Sequence, residues 1–256
     1  MLGIGSPAHF KNNITYVVPS DLANLSIWLQ NNTLVGAAGW EDNSGNNRDI
    51  SQPEVGFRGV AIEGGLKLDG ADNHYNWASS YLDMGGAQDF TLFVVFQRDG
   101  AASDSNTIIG GDTQNQAFFI DDEETIRFQT DNNDSVVSGA AVPTGQNGVN
   151  SLFKFPTDTW VVNEKIIMTV TKSSSGGFKW LKNGDEVSGI ESGAGNTINI
   201  GQNLKIKHLG ALDDGTDNPN DLHFHGTFHE LIYYNTLLHS IALENINNYL
   251  RNKFAI

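Results

Sequence analysis

The chain of 256 residues contains no cysteine. This excludes disulfides, thiolate metal sites and cysteine nucleophiles, so any stability outside the cell would have to come from the core or from assembly. Basic residues are scarce: 15 Lys and Arg stand against 30 Asp and Glu, a formal charge of −15. Such a field repels phosphate backbones and anionic membranes, so neither nucleic acid nor membrane is an expected partner. No apolar run approaches the roughly eighteen residues that span a bilayer. The opening MLGIGSPAHFKNN lacks a basic region followed by an apolar stretch, so it is not expected to be a secretory leader. Catalytic signatures are missing too. G-x-S-x-G, G-x-x-x-x-G-K-[ST], a dinucleotide fingerprint and the single-strand E-x-D-x-x-E of one glycosidase family do not occur. His229-Glu230 starts like H-E-x-x-H, but Tyr233 stands where the second histidine belongs.

What is present is neutral polarity and turns. Charged residues make up 18% and hydrophobic ones 39%, and the 28 glycines are joined by many asparagines, residues that tolerate positive φ. The composition suits one large domain of short strands. Residues 1–20 read as an N-terminal arm, with Gly3, Gly5 and Pro7 discouraging regular structure, and residues 21–256 as the domain. Phe90 to Gln97 is too apolar for alternation and reads as a central strand buried on both faces. Shorter strands are expected at 106–109, 117–121, 125–130 and 135–140, with a long loop at 143–155 and a strong strand at 165–171. Phe178 to Val187 reads as a hairpin turning on Asn183-Gly184, a type I′ pair. Ile198 to Gly201 is a further strand. The closing stretch, Phe224 to Ile256, reads as a long strand covered on both sides and then an amphipathic helix. Ser240 is the expected N-cap, and Leu243, Ile246, Leu250 and Phe254 form the buried face. In that strand Phe228, Glu230, Ile232 and Tyr234 should share one face, and His229, Leu231 and Tyr233 the other.

Several stretches occur in the order of a known family. Trp28-Leu29 is followed by Trp40-x-Asp42-x-Ser44-Gly45-Asn46-x-Arg48. Then come Leu68-Asp69-Gly70-Ala71-Asp72-Asn73, the strand Phe90 to Phe96, Ile198-x-Ile200-Gly201, and the run from Gly226 to Asn235 ahead of the helix. Together they resemble a concanavalin A-like, laminin-G-like domain over residues 22–256. The resemblance implies an all-β fold, a two-sheet antiparallel jelly-roll sandwich with a short C-terminal helix. In style the chain is similar to virion proteins of tailed phages, where such domains decorate capsids or form tail-fibre tips. That implies a non-enzymatic structural protein on the particle surface. Its arm would contact other virion proteins, self-association as a homo-oligomer is compatible with that role, and its sandwich would bind protein or surface glycans. A stand-alone lectin and a glycoside hydrolase or lyase are the alternatives.

Three clusters are candidate sites. Asn73, His74, Tyr75, Asn76 and Trp77 combine aromatic faces with polar groups, as sugar sites do; Trp40, Tyr81 and Trp160 are further stacking candidates, while Trp28 and Trp180 read as core. Asp213, Asp214, Asp217 and Asp221 form an acidic loop with oxygen ligands for calcium, although the EF-hand spacing is absent. Runs at 121–124 and 131–134 are smaller versions. His223, His225 and His229 have the alternation that puts imidazoles on one strand face, an alternative metal set. No cofactor is required by any motif; calcium is the one possible addition.

Overall fold

The computed structural model describes residues 17–79, 82–83, 88–99, 106–111, 117–120, 126–129, 153–154, 161–174, 178–187, 191–192, 205–213, 219–221 and 223–256. The strands expected at 135–140 and 198–201 lie outside them. The chain begins with β1 (Leu25–Leu34), β2 (Gly39–Asp42), β3 (Ile50–Ser51), β4 (Val60–Ile62), β5 (Gly65–Asp69), β6 (Tyr75–Trp77) and β7 (Leu82–Asp83). The middle supplies β8 (Phe90–Arg98), β9 (Asn106–Gly111), β10 (Ala117–Ile120), β11 (Ile126–Gln129), β12 (Phe153–Lys154), β13 (Lys165–Lys172), β14 (Phe178–Lys182), β15 (Asp185–Glu186) and β16 (Glu191–Ser192). It ends with β17 (Lys205–Leu209), β18 (Leu212–Asp213), β19 (Pro219–Asp221), β20 (His225–Tyr234) and the helix α1 (Ser240–Phe254). The fold is all-β with one C-terminal helix, as expected.

The main ladder is antiparallel and runs β11-β10-β9-β17-β6-β3-β2-β1-β20-β8-β13-β14-β15, with β4 and β5 continuing beside β20 where β1 diverges. It rolls over on itself. Gly210, just after β17, receives a hydrogen bond from the backbone of Phe224, and a Cβ there would lie 2.2 Å from Leu68 on β5 and 3.7 Å from Phe228 on β20. Those strands are far apart along the ladder, so the sheet closes into two layers. Gly210 stands at φ +84, where only glycine fits both the backbone and the contact.

Burial separates the two faces of the central strands. Leu92, Val94 and Phe96 of β8, with Ile166, Met168 and Val170 of β13, point into the core between the layers. Phe93, Val95 and Ile167 point the other way, under Ala242, Ile246 and Leu250 of α1. This is why the apolar run of β8 shows no alternation. The hairpin turn has φ of 55 at Asn183 and 91 at Gly184, the two positive values that a type I′ turn needs. Asn183 also takes the backbone N–H of Ile167 on its side chain at 2.8 Å, and Arg251 of α1 donates to its carbonyl at 3.1 Å.

The closing strand is buried on both sides but not in the expected register. A bulge falls between Phe228 and Glu230. Phe228 therefore joins Leu231 and Tyr233 in the inter-layer core, while Glu230, Ile232 and Tyr234 face the helix. One extra residue reverses the alternation. The helix starts one residue earlier in its cap than expected: His239, not Ser240, is the N-cap, and its ring accepts from the N–H of Ala242. The last residues of the expected arm already belong to the packed domain. Val17 and Leu22 lie against the helix-side core, and Tyr234 donates its hydroxyl to the carbonyl of Pro19 at 2.9 Å.

Candidate functional site

The stretch from Trp40 to Arg48 is a fastening loop. Trp40 is core. The Asp42 carboxylate collects four donors: the N–H of Trp28 (2.8 Å), the N–H and hydroxyl of Ser44 (2.9 and 2.7 Å) and the N–H of Arg48 (3.0 Å). Asn46 donates to the carbonyls of Leu25 and Ser26, and Arg48 to the Ser26 hydroxyl. A carboxylate saturated by donors has little left for a cation. The motif that marks the family resemblance thus ties this loop to β1.

The Glu230 carboxylate sits under α1 with no exposed surface. Trp28 Nε1 (2.8 Å) and the Tyr249 hydroxyl (3.2 Å) donate to one oxygen, and Lys253 Nζ lies 2.5 Å from the other. Burial pushes the carboxyl above its ordinary range, against the pull of Lys253 and the two hydrogen bonds. Burial also raises Tyr249 and Tyr234, so both stay protonated. The network fastens helix to sheet.

The cluster from Asn73 to Trp77 divides across β6. Tyr75 and Trp77 point inward and are 0% and 1% exposed, so neither offers a face to a sugar, contrary to the sequence reading. The reason is the two-residue period of a strand: alternate side chains enter the core. The Tyr75 hydroxyl bridges the N–H of Gly59 (3.1 Å) and the carbonyl of Ala37 (2.8 Å). Asn73 is buried and holds the N–H of Asp69 at 3.2 Å. His74 is buried between the rings of Phe57 (5.5 Å) and His223 (6.0 Å). Its Nδ1–H donates to the carbonyl of Asp72 at 3.0 Å, which leaves Nε2 to accept from the Gln52 amide at 2.9 Å. Burial holds His74 below its ordinary range, and nearby His223 adds to that. Trp28 and Trp180 are core, as expected; Tyr81 and Trp160 lie outside the described residues.

Asn76 alone of the five reaches outward. Its Oδ1 accepts from Nδ1–H of His208 at 2.6 Å. Cross-strand register sets Gly39, Ser51, Asn76, His208 and Gly110 in one row over β2, β3, β6, β17 and β9. Ser51 is exposed, Asn76 half-buried and His208 buried. This polar stripe lies on the outer side of the second layer, while α1 covers the outer face of the first; only Ser51 and Asn76 are open, because backbone at Ala211 and Leu212 lies over Gly110 and His208 is 1% exposed. Ser51 and His208 were not anticipated. The signal was a polar residue between two aromatics, Tyr75-Asn76-Trp77, on a strand.

The metal sets fare differently. His223 turns to His74, His225 is exposed beside Gly70, and His229 is buried in the bulge with Nδ1–H donated to the carbonyl of Gly64 at 2.7 Å and its ring 5.8 Å from Phe254. The bulge and these separate partners keep the three apart, and among the described residues no three His, Asp or Glu side chains converge on a cation position. Asp213 and Asp221 lie on a backbone hairpin pairing Leu212 with Asp221 and Asp213 with Pro219. Asp214, Asp217 and all four side chains lie outside the described residues, as do the runs at 121–124 and 131–134.

No family model and no curated protein matches the chain. Solved structures do. A sialidase from Trypanosoma rangeli superposes with TM-score 0.58 at 16% identity, over 91% of this chain and 33% of that one. The binding domain of Paraclostridial Mosquitocidal Protein 1 superposes with TM-score 0.59 at 14% identity, over 92% of this chain and 54% of that one. Domain 4 of AbnA, a GH43 extracellular arabinanase from Geobacillus stearothermophilus solved with arabinotriose, matches with TM-score 0.49 at 15% identity, over 88% of this chain and 98% of that domain. The chain spans about a third of the sialidase and about half of the mosquitocidal domain. At these identities the likeness defines the fold, a β-sandwich shared with parts of larger proteins.

Proposed function

We propose that this chain is a non-catalytic β-sandwich that binds carbohydrate on the outer face of its second layer. The observation that carries this reading is the exposed Ser51 beside the half-buried Asn76, whose amide is held in place by the buried His208. Short side chains let a flat ring approach the sheet, and a serine hydroxyl beside an Asn amide hydrogen-bonds sugar hydroxyls in both directions. The likeness to a sialidase and to the binding domain of a mosquitocidal protein supports the same class. Calcium is an optional addition at the acidic loop.

A glycan array with and without calcium tests the reading. Binding to a restricted set of glycans is expected, lost when the exposed Ser51 is replaced by the bulky Ser51→Arg with the melting temperature unchanged. An empty array, or binding indifferent to Ser51→Arg, would sink it. Turnover on a broad polysaccharide panel would return the hydrolase or lyase alternative. The finer reading is a virion component, held on the particle surface by contacts of residues 1–20 with other virion proteins. It rests on the sequence resemblance and is tested by whether the native protein co-purifies with virus particles.

A further inference from the structure

A second polar row lies on the opposite outer face, beyond the C-terminal end of α1. Register aligns Lys67, Thr227, Gln97 and Lys165 across β5, β20, β8 and β13. Their neighbours Leu66, Phe228, Phe96 and Ile166 point into the inter-layer core, so this row points outward. The Lys67 end is closed, because Lys67 pairs with Asp99 at 2.7 Å. The Lys165 end is open. Lys165 Nζ lies over the ring of Phe254, 5.5 Å from its centroid, and makes no ion pair among the described residues. Gln97, directly opposite it, is half-buried and makes no side-chain hydrogen bond among the described residues. His229 packs its ring on the same Phe254. It is 6% exposed, and its Nε2 is buried with no partner.

The chemistry of these groups is complementary. His229 gives its one proton, on Nδ1, to the carbonyl of Gly64. Its Nε2 therefore accepts and requires a donor. Lys165 is a cation without a counter-ion in a chain of net charge −15. A bare carboxylate would satisfy Lys165 and leave His229 wanting. A neutral sugar would do the reverse. We propose that Lys165, Gln97 and His229, walled by Phe254, form a second binding site for a hydroxyl-bearing organic carboxylate, the chemistry of an acidic monosaccharide. Lys165 receives the carboxylate, Gln97 holds one hydroxyl, and Phe254, half-buried at the end of α1, must turn aside for the neighbouring hydroxyl to donate to the covered His229 Nε2. The site stands apart from the stripe, which lies on the other outer face.

Glucuronate is the probe, titrated into ¹⁵N-labelled protein to about 10 mM, the range in which a single small ligand binds. The His229 ring nitrogens and Lys165 Nζ are followed, with acetate and glucose as controls. Glucuronate is expected to shift both groups together, and neither control should. Lys165→Met, which keeps the stem over Phe254, should weaken binding at least tenfold. Because a change at buried His229 can unfold the chain, Gln97→Leu serves as the second variant; it should weaken binding several-fold with an unchanged melting temperature. A disaccharide ending in glucuronate separates a free acid from a chain terminus as the source: binding by either supports the site. No joint shift, an equal response to acetate, or full affinity in Lys165→Met would overturn the proposal. So would loss of glucuronate binding in Ser51→Arg, which would assign it to the stripe and leave the first reading standing.

Discussion

Glu230 and Lys253 form an ion pair whose two ends differ in exposure: the carboxylate has none, while 23% of the Lys253 side chain is open to solvent. Removing one member of a buried pair strands the other, at a cost of about 3 kcal/mol. Lys253→Met should therefore destabilise the fold by about 3 kcal/mol at pH 7.5, read by urea unfolding. The sign of the pH dependence follows from the direction of the shift. Glu230 has its folded pKa above the ordinary 4.5. Its contribution to stability is fully present below that value and is lost as pH rises through the folded pKa. The deficit of Lys253→Met should then shrink as pH falls from 7.5 through the raised folded value of Glu230, and adding Glu230→Gln should restore much of it at pH 7.5. A deficit that stays constant down the whole acid limb would contradict the assignment. His74 and His229 act in the opposite sense. Burial lowers both below 6.5, so their contribution is present above 6.5 and is lost as pH falls through their folded values. Imidazole proton titrations should place His74 and His229 below 6.5, and a midpoint at or above it for either would count against the burial described.

At the scale of elements, hairpin and helix were legible because their determinants are local. Asn183-Gly184 encodes its own turn, and Ile246 and Leu250 return at helical spacing to the buried face. The bulge of β20 was not legible, because nothing in Phe228-His229-Glu230 marks an extra residue. What makes room for it lies elsewhere. A Cβ on Gly65 would sit 2.5 Å from the carbonyl of Phe228 and 3.0 Å from the His229 ring, so the bulge depends on a glycine of β5, a strand paired with β20 but remote in sequence. Gly65→Ala is expected to destabilise by about 2 kcal/mol or more, because backbone rather than a flexible side chain must yield. For the candidate site, sequence gave the position of Asn76 but not its direction or its neighbour. The aromatics beside it promised a stacking surface and turned out to be core, since composition does not say which side of a strand faces the interior. Ser51 and His208 join Asn76 only through pairings between strands remote in sequence. Ile246→Ala tests the helix itself: with Ile246 fully buried against Phe93 and Val95, a loss of about 3 kcal/mol is expected in chemical denaturation. A loss under about 1 kcal/mol would mean that α1 is not part of the folding unit.

For the molecule as a whole, the open question is where the packed domain begins and what precedes it. The sequence places the boundary at residue 21, yet Val17 packs with the helix-side core and the carbonyl of Pro19 accepts the buried hydroxyl of Tyr234. Residues 17–20 thus act on stability. Two truncations separate the roles. Deleting 1–16 should leave the melting temperature of the full chain unchanged. Deleting 1–20 also removes the acceptor of Tyr234 and the cover of Val17. An unsatisfied buried hydroxyl costs about 1–3 kcal/mol, so the melting temperature should fall by about 2–12 °C for a domain of this size. If the arm makes the intermolecular contacts proposed for it, both truncations lose assembly in sedimentation or particle-binding assays, and only the longer one loses stability. Normal assembly by the chain lacking 1–16 would remove the arm from that role. Equal melting temperatures for the two truncations would show instead that Pro19 and Val17 contribute nothing to the fold.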